Sequence, residues 1–249
     1  MAFGVESTSF SSANPDADGV FTISHTLTAA NKLIVTTGSA DGGGTNRDIL
    51  SVTWHSVAMS QVVEMDDSSF EHVSIWELHN PDLGTFSVVV TTVASPSSVD
   101  QIGVGATGFL EAATALGTPN TNSGSGANPS VTVVDSASGD IVVSCLASDV
   151  GPQSVTTEAG TLVWEVEDIG NDSDFNVQRQ NATGASTVCS WTSDAPPAGG
   201  WAACGVAVKA FTEAISSSTL PTARTQRIQP LDTDEDSGRF DELDVRNWW

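Results

Sequence analysis

The stretch that decides the fold is HVSIWELHNPDLGTFSVVV, residues 72–90. Two apolar runs, VSIWEL and FSVVV, flank the segment NPDLG, and the second run alternates between two faces at period two, which indicates a half-buried strand. Pro81 has no N–H to donate and cannot continue a central strand, whereas Gly84 can take the positive φ of a tight reversal. The pattern predicts two antiparallel strands joined by a turn, with Trp76 as a core anchor.

Runs of the same kind recur outward from this stretch over residues 1–211. About thirteen short strands are expected, with turn residues at a spacing of roughly 8–12 residues and without any strong helical pattern. A hairpin is predicted between residues 49–54 and 57–64, with its turn at His55-Ser56. The glycines of residues 101–111 indicate a bulge or a close approach of backbone to a neighbour. The sequence therefore predicts an all-β, antiparallel two-sheet jelly-roll sandwich over residues 1–211.

The composition is strongly acidic, with 31 Asp and Glu against 8 Lys and Arg and a formal net charge of −23. Such a surface repels phosphates, so we expect no nucleic-acid partner. A disordered acidic chain is excluded by the recurring apolar strands, and a calcium-rich surface lacks clear ligand spacing. Adaptation to high salt, where like charges are screened, is the interpretation we favour.

The sequence also limits what can be expected of membrane or secretory segments and of the cysteines. There is no run of eighteen apolar residues, so we expect no membrane insertion, and the first ten residues do not resemble a secretory signal. The cysteines Cys145, Cys189 and Cys204 fit no zinc spacing and lie in strand-like runs. We interpret them as small buried apolar residues, with one disulfide left open.

Residues 212–249 differ from the rest of the chain. They hold four of the six arginines and two tryptophans, and both residue types are typical interface anchors. We predict an extended C-terminal arm that binds another subunit, and a disordered acidic tail is the alternative. The candidate partner-binding residues are Arg224, Arg227, Arg239, Arg246, Trp248 and Trp249.

A search for chemistry finds little. The four histidines have no metal-type spacing, and there is no GxSxG elbow. Glu165 and Glu167 share one face of a strand, with Glu77 beside Trp76 elsewhere, but an acidic chain yields such carboxylates by chance. The acidic runs Asp66-Asp67 and 172–174 do not resemble a calcium loop. We expect no catalytic residue, no metal site and no cofactor.

Several segments, in order, resemble a known family. They are NKLIVTTGSADGG (31–43), SVTWHSVAMSQV (51–62), VSIWELHNPDLGTFSVVV (73–90), IGVGATGFLEAATALGT (102–118), PSVTVVDSASGDIVVSCLAS (129–148) and WAACGVAVKAF (201–211). The series resembles a concanavalin-like jelly-roll domain of structural proteins of tailed viruses, found also in some bacterial surface proteins. That family shows patterns such as NRLLVV, WYLxxPxxGT and GDLVV. The family positions are core and turn residues, so the resemblance implies no catalytic site.

The resemblance and the composition together suggest a virion protein of a tailed virus of a halophilic archaeon. We expect a capsid decoration or turret component that forms homo-oligomers and binds capsid or other virion proteins through its arm. A tail-associated structural protein is one alternative. A second is a carbohydrate-binding host-attachment module, with Trp164, Trp191 and Trp201 as sugar-stacking candidates, although core packing explains tryptophans on strands more simply. A glycoside hydrolase or lyase acting through Glu165 or Glu167 is a third hypothesis.

Overall fold

The structure, a computed structural model, describes residues 2–13, 19–40, 48–66, 71–93, 101–149, 155–167, 173–193 and 200–211. The main-chain contacts group Met1–Thr212 into one compact unit. The described part is all strand and turn, and it holds no helix that is long and apolar enough to cross a membrane. Its strands in chain order are β1 Gly4–Ala13, β2 Val20–Leu27, β3 Lys32–Ala40, β4 Ile49–Trp54, β5 Val57–Ala58, β6 Ser60–Asp66, β7 Glu71–His79, β8 Gly84–Thr92, β9 Gln101–Leu110, β10 Ala112–Leu116, β11 Asn120–Gly124, β12 Ser130–Val134, β13 Ile141–Asp149, β14 Val155–Thr157, β15 Thr161–Glu167, β16 Ser173–Asn181, β17 Ser186–Ser193 and β18 Gly200–Ala210.

These strands pair antiparallel in four sheets, which we name A to D. Sheet A has the order β1-β9-β3-β7-β6, and sheet B has the order β2-β8-β4-β5. Sheet C has the order β10-β18-β13-β16-β15, with β11 also beside β18, and sheet D has the order β12-β17-β14. Sheets A and B are formed by β1 to β9, which we call the first half of the compact unit, and sheets C and D are formed by β10 to β18, which we call the second half.

Three hydrophobic clusters join the sheets in the order B, A, C, D. Ile34 of β3 belongs to the cluster between sheets A and C, and its neighbour Val35 belongs to the cluster between sheets A and B. In β13, Val143 belongs to the cluster between sheets A and C, and its neighbour Val142 belongs to the cluster between sheets C and D. Sheets A and C are therefore covered on both faces, and their central strands are nearly continuous runs of buried residues.

The predicted all-β class and the antiparallel pairing are confirmed, but the prediction of a single two-sheet sandwich is wrong. The described residues form four sheets and more strands than the sequence predicted. The prediction assumed that each strand has one face in the core and one in water. A strand buried on both faces instead needs an apolar layer on each side, which two sheets cannot supply.

The prediction for residues 72–90 is wrong in its pairing, although both strands are present. β7 pairs with β3 and β6 in sheet A, whereas β8 pairs with β2 and β4 in sheet B, so the segment between them crosses from one sheet to the other. Asn80 and Gly84, with φ of 51° and 140°, turn the chain at this crossing. Trp76 is 5% exposed and packs between the two sheets, which confirms it as a core anchor.

The turn predicted at His55-Ser56 is confirmed, but the second strand of the hairpin, expected over residues 57–64, pairs with β4 only at Val57 and Ala58, because β6 joins sheet A. Trp54 pairs with Val57 on either side of the turn. His55 and Ser56 have φ of 47° and 66°, as a two-residue type I′ turn requires. This turn ends β4 and leads into β5 and β6, which carry the chain from sheet B to sheet A.

The two halves of the compact unit have the same connectivity. In the first half β1, β3, β6, β7 and β9 lie in one sheet, while β2, β4 and β8 lie in the other. In the second half β10, β13, β15, β16 and β18 lie in one sheet, while β12, β14 and β17 lie in the other. These eight strands have the same neighbours as their counterparts, and β5 and β11 are the additional strands among those described. The compact unit is thus two sandwiches of the same topology, joined through sheets A and C.

The glycines of β9 allow sheets A and C to approach closely, as the sequence predicted. A Cβ added to Gly105 would overlap the indole of Trp164 from sheet C, and one added to Gly103 would lie 2.9 Å from the same ring. On the neighbouring strand, a Cβ on Gly38 would overlap Phe175. The missing side chains therefore make room for two large aromatic residues of the other half.

Candidate functional site

The predicted arm lies outside the described residues, as do its six candidate partner-binding residues, Arg224, Arg227, Arg239, Arg246, Trp248 and Trp249. The structure therefore neither supports nor opposes these candidates. In the described part of the chain, the most concentrated group of metal-ligating side chains is the cluster formed by Asp48, Asp66 and His72. One ligand atom from each of these residues lies within 4.8 Å of the other two.

The geometry of this Asp-Asp-His cluster follows from strand register. Asp66, the last residue of β6, lies directly opposite His72 of β7 in sheet A. Their side chains meet, with His72 Nδ1 2.6 Å from Asp66 Oδ1. Asp48 immediately precedes β4 of sheet B, and its carbonyl oxygen accepts a hydrogen bond of 3.1 Å from Val93 N. The cluster thus joins the edge of sheet A to sheet B.

Burial within the cluster is unequal. The His72 side chain is only 1% exposed, whereas Asp66 is 37% exposed and Asp48 lies at the surface. His72 Nε2 is buried and finds no hydrogen-bond partner among the described residues. A fixed, buried imidazole beside two carboxylates that reach solvent can hold a cation or orient a proton.

This three-residue cluster was not predicted from the sequence. Asp66 was considered with Asp67 as an oxygen ligand, but neither was linked to His72 or Asp48. Asp66 and His72 flank one hairpin, and that signal could have joined them. Asp48 comes from a different sheet, and its approach depends on how two sheets pack, which no sequence spacing encodes.

The other histidines have different surroundings. His25 is buried, with its ring nitrogens 2.8 Å from Ser9 Oγ and 3.2 Å from Ser7 Oγ. Burial lowers the pKa of His25, and the nearby charge of Glu6 offsets only part of that effect. His25 is therefore a neutral structural residue. His55 stacks on Phe86 at the surface, with ring centroids 3.7 Å apart.

The carboxylates considered for catalysis lie in different sheets. Glu77 of sheet A pairs with the fully buried Lys32, at 2.6 Å between carboxylate oxygen and Nζ. Glu165 of sheet C accepts a hydrogen bond of 3.4 Å from Asn176 Nδ2. The side chain of Glu167 lies outside what the structure describes. Both described carboxylates therefore have contacts within their own sheets.

The tryptophans named as sugar-stacking candidates are in the core, so core packing, the simpler explanation from the sequence, is confirmed and these three candidates are wrong. Trp164, Trp191 and Trp201 are 2%, 0% and 5% exposed. Their indole N–H groups donate to Thr36 Oγ1, Asn176 Oδ1 and the carbonyl oxygen of Gly126, respectively. A strand tryptophan facing a second sheet is buried by that sheet, and the additional sheets were not anticipated from the sequence.

An uncharged polar groove lies between the edges of sheets C and D. It encloses about 580 Å³, and amides and hydroxyls dominate its lining beside the exposed Val188. Gln180 Nε2 donates 2.7 Å to the carbonyl oxygen of Val188, which fixes one wall. The lining residues include Thr161, Gln180, Asn181, Thr183, Ser186 and Val188.

The three cysteines are buried, as predicted. Cys145 of β13 and Cys204 of β18 are directly opposite in register, with sulfur atoms 3.1 Å apart. Burial raises the pKa of the Cys204 thiol well above its usual value, the neighbouring Cys145 adds to this, and burial raises the pKa of Cys189 to about 11. The Cys189 and Cys204 thiols are therefore protonated at neutral pH, and all three cysteines serve as core side chains.

Comparison with known protein families, with characterised proteins and with solved structures finds no match to this chain.

Proposed function

We propose that the protein is a non-enzymatic structural component of a virion. The compact unit would stand on the particle as a capsid decoration or turret element, and residues 212–249 would attach it to the capsid or to neighbouring copies. The halves would each be a jelly roll, and the host would be a halophilic archaeon infected by a tailed virus.

The strand order supports the jelly-roll assignment. In the first half the chain crosses repeatedly between two sheets, and the last strand β9 lies between β1 and β3. With β6 at the edge of sheet A set aside, the orders β1-β9-β3-β7 and β2-β8-β4-β5 are the pattern expected when two Greek keys fold over each other. This agrees with the family resemblance of the quoted motifs, which are turn and strand positions.

The distribution of residue types carries the functional proposal. In the described part of the compact unit, the candidate catalytic carboxylates and tryptophans contact other core or sheet residues. Four of the six arginines, and two tryptophans, lie instead in residues 212–249. A segment rich in interface-type residues, following a unit whose described candidate residues are engaged in core and sheet contacts, is suited to assembly.

The charge supports the proposed environment. A net charge of −23 would destabilise a compact chain at low ionic strength through self-repulsion, and salt at molar concentration screens that repulsion to about 3 Å. Association in such salt depends on apolar and aromatic contacts more than on long-range attraction. Trp248 and Trp249 would supply contacts of that kind.

Proteomics and imaging of purified particles test the proposal. We expect the protein in purified virions, in a copy number that is a multiple of the capsid symmetry. A handful of copies per particle would indicate the tail-associated alternative. Recovery of the protein from lysate but never from particles would contradict the virion assignment.

The role of the arm is tested by rebinding recombinant protein to particles stripped of it. The full chain is expected to rebind, and a chain lacking residues 213–249 is expected to lose binding while keeping its unfolding temperature. Two further variants separate the contribution of charge from that of the aromatic contacts. One replaces Arg224, Arg227, Arg239 and Arg246 by glutamine, and the other replaces Trp248 and Trp249 by alanine. If the deletion and both substituted variants rebind as well as the full chain, the proposal that residues 212–249 attach the protein to the particle is wrong.

The polar groove favours a second candidate, carbohydrate binding during host attachment. Amides and hydroxyls beside an exposed apolar side chain offer the mixed contacts that a sugar ring needs, although no aromatic residue is among those lining the groove. In a glycan array at high salt, binding should fall at least tenfold in a Gln180→Ala, Asn181→Ala variant. Absence of any bound glycan would exclude this role without affecting the virion proposal.

A further inference from the structure

We propose that Asp48, Asp66 and His72 form a binding site for one divalent first-row transition ion, with Zn²⁺ as its representative. The ion would be held by two carboxylate oxygens and one imidazole nitrogen, with water completing its coordination. This site is independent of the proposed role in the virion.

The distances fit three ligands around one ion. Bonds of about 2.0–2.2 Å place tetrahedral ligand atoms roughly 3.4 Å apart. The three ligand atoms already lie within 4.8 Å of one another, and Asp66 Oδ1 is 2.6 Å from His72 Nδ1. A rotation of the exposed Asp48 side chain, and a slight separation of Asp66 from His72, would bring all three into the coordination sphere without moving a strand.

His72 provides the observation that points beyond a surface group of acids. Its ring is 1% exposed, and the pairing of β6 with β7 fixes it beside Asp66. Its only hydrogen bond in the described residues is to Asp66, since Nε2 has no partner there. Burying an imidazole costs free energy that the single hydrogen bond to Asp66 offsets only in part, and a cation bound between this fixed ring and the two carboxylates would add a favourable contact there.

The donor set selects the class of ion. Ca²⁺ and Mg²⁺ prefer oxygen ligands alone, whereas an imidazole with two carboxylates suits Zn²⁺, Mn²⁺ and related ions. Three protein ligands would leave one or more positions for water. Because Asp48 immediately precedes β4 of sheet B and the other two ligands lie on β6 and β7 of sheet A, the bound ion would tie the two sheets of the first half together.

Titration of the full-length chain tests the site, with ZnCl₂ and CaCl₂ in parallel and excess Mg²⁺ present to occupy diffuse acidic sites. We expect calorimetry to find one Zn²⁺ bound per chain, and bound Zn²⁺ to increase the unfolding temperature. The visible absorption spectrum of Co²⁺ bound in its place should indicate a low coordination number. Tighter binding of Ca²⁺ than of Zn²⁺ would contradict the proposed class of ion.

Variants locate the site. Asp48→Asn is expected to weaken Zn²⁺ binding at least tenfold and to abolish the increase in unfolding temperature. Because Asp48 is exposed, the metal-free protein should unfold at an unchanged temperature. His55 and Asp82 form a matched control, since they are a surface His-Asp pair at 3.0 Å. His55→Asn should bind Zn²⁺ as the parent does, and equal binding by Asp48→Asn and the parent would overturn the proposal.

Discussion

Trp164 of sheet C donates its indole N–H to the hydroxyl of Thr36 in sheet A, 3.0 Å away, across the interface between the two halves. The ring lies against β9 where Gly103 and Gly105 leave space for it. One tryptophan therefore fills the interface, satisfies its own polar group and depends on the missing side chains of the facing strand.

Gly105→Ala is expected to destabilise the protein, because its Cβ would overlap the Trp164 ring in a packed interface. Overpacking of this kind costs about 1–3 kcal/mol in the free energy of unfolding, measurable by denaturant titration. Gly4→Ala is the matched strand control, since a Cβ there meets nothing within 4 Å. Equal stability of the two variants would mean that the halves are not packed as described.

Glu77→Gln is expected to destabilise the protein by removing the charge that faces buried Lys32. Breaking a fully buried pair costs about 3–5 kcal/mol, and since Glu77 is 27% exposed we expect about 2–3 kcal/mol. Urea unfolding should also find the Lys32→Met, Glu77→Gln double variant more stable than Glu77→Gln. Lys209→Met, at the more exposed pair with Asp135, should have a much smaller effect.

Glu6 makes stability depend on pH in acid. Its carboxylate accepts hydrogen bonds from the backbone N–H groups of Thr28, Ala29 and Ala30, at 2.7, 2.6 and 3.0 Å, and from the Thr28 hydroxyl. Burial alone raises the pKa of Glu6, but these bonds outweigh it and hold the pKa below its usual value of 4.5. A lowered folded-state pKa stabilises the fold above pH 4.5, and this contribution is lost as pH falls through the folded-state pKa.

Glu6→Gln should therefore be less stable than the parent at pH 7, and the difference should shrink in strong acid. Urea unfolding from pH 7 to pH 3 measures this, with Glu64→Gln as the control, because Glu64 contacts only the exposed side chain of Gln61 among the hydrogen bonds described. A difference between Glu6→Gln and the parent that stays constant over this range would contradict the role assigned to the carboxylate.

The buried cysteines should resist thiol reagents in the native state. Cys145, Cys189 and Cys204 are at most 1% exposed, and the raised pKa values of Cys189 and Cys204 leave little thiolate. Mass spectrometry after alkylation should find no label on native protein and three labels after unfolding without reductant. A single label after unfolding would show that Cys145 and Cys204, which are opposite each other, are joined as a disulfide.

The sequence predicted what depends on local pattern. The strand class, the His55-Ser56 turn and the close approach at the glycines of β9 follow from period, turn chemistry and missing side chains. The predicted pairing of β7 with β8 failed because the chain crosses from sheet A to sheet B between these two strands. In β7, residues Glu71–Trp76 are all buried and show no alternation, so this strand is covered on both faces and does not fit the half-buried hairpin that was predicted.

The candidate metal site was less accessible from sequence. His72 and Asp66 could have been paired through their hairpin, but the contribution of Asp48 depends on the packing of sheet B against the edge of sheet A. The number of sheets was hidden for a similar reason. An apolar run indicates burial, but it does not state whether one or two other sheets provide it.

The shared topology of the two halves means that this chain is the covalent counterpart of a homodimer. Only Glu111 separates β9 from β10, so one copy of the sandwich follows directly on the other. In a symmetric dimer a substitution would appear in both subunits at once, whereas here each copy can change alone. All four histidines lie in the first sandwich, and all three cysteines lie in the second, so the two sandwiches differ in the chemistry they can support.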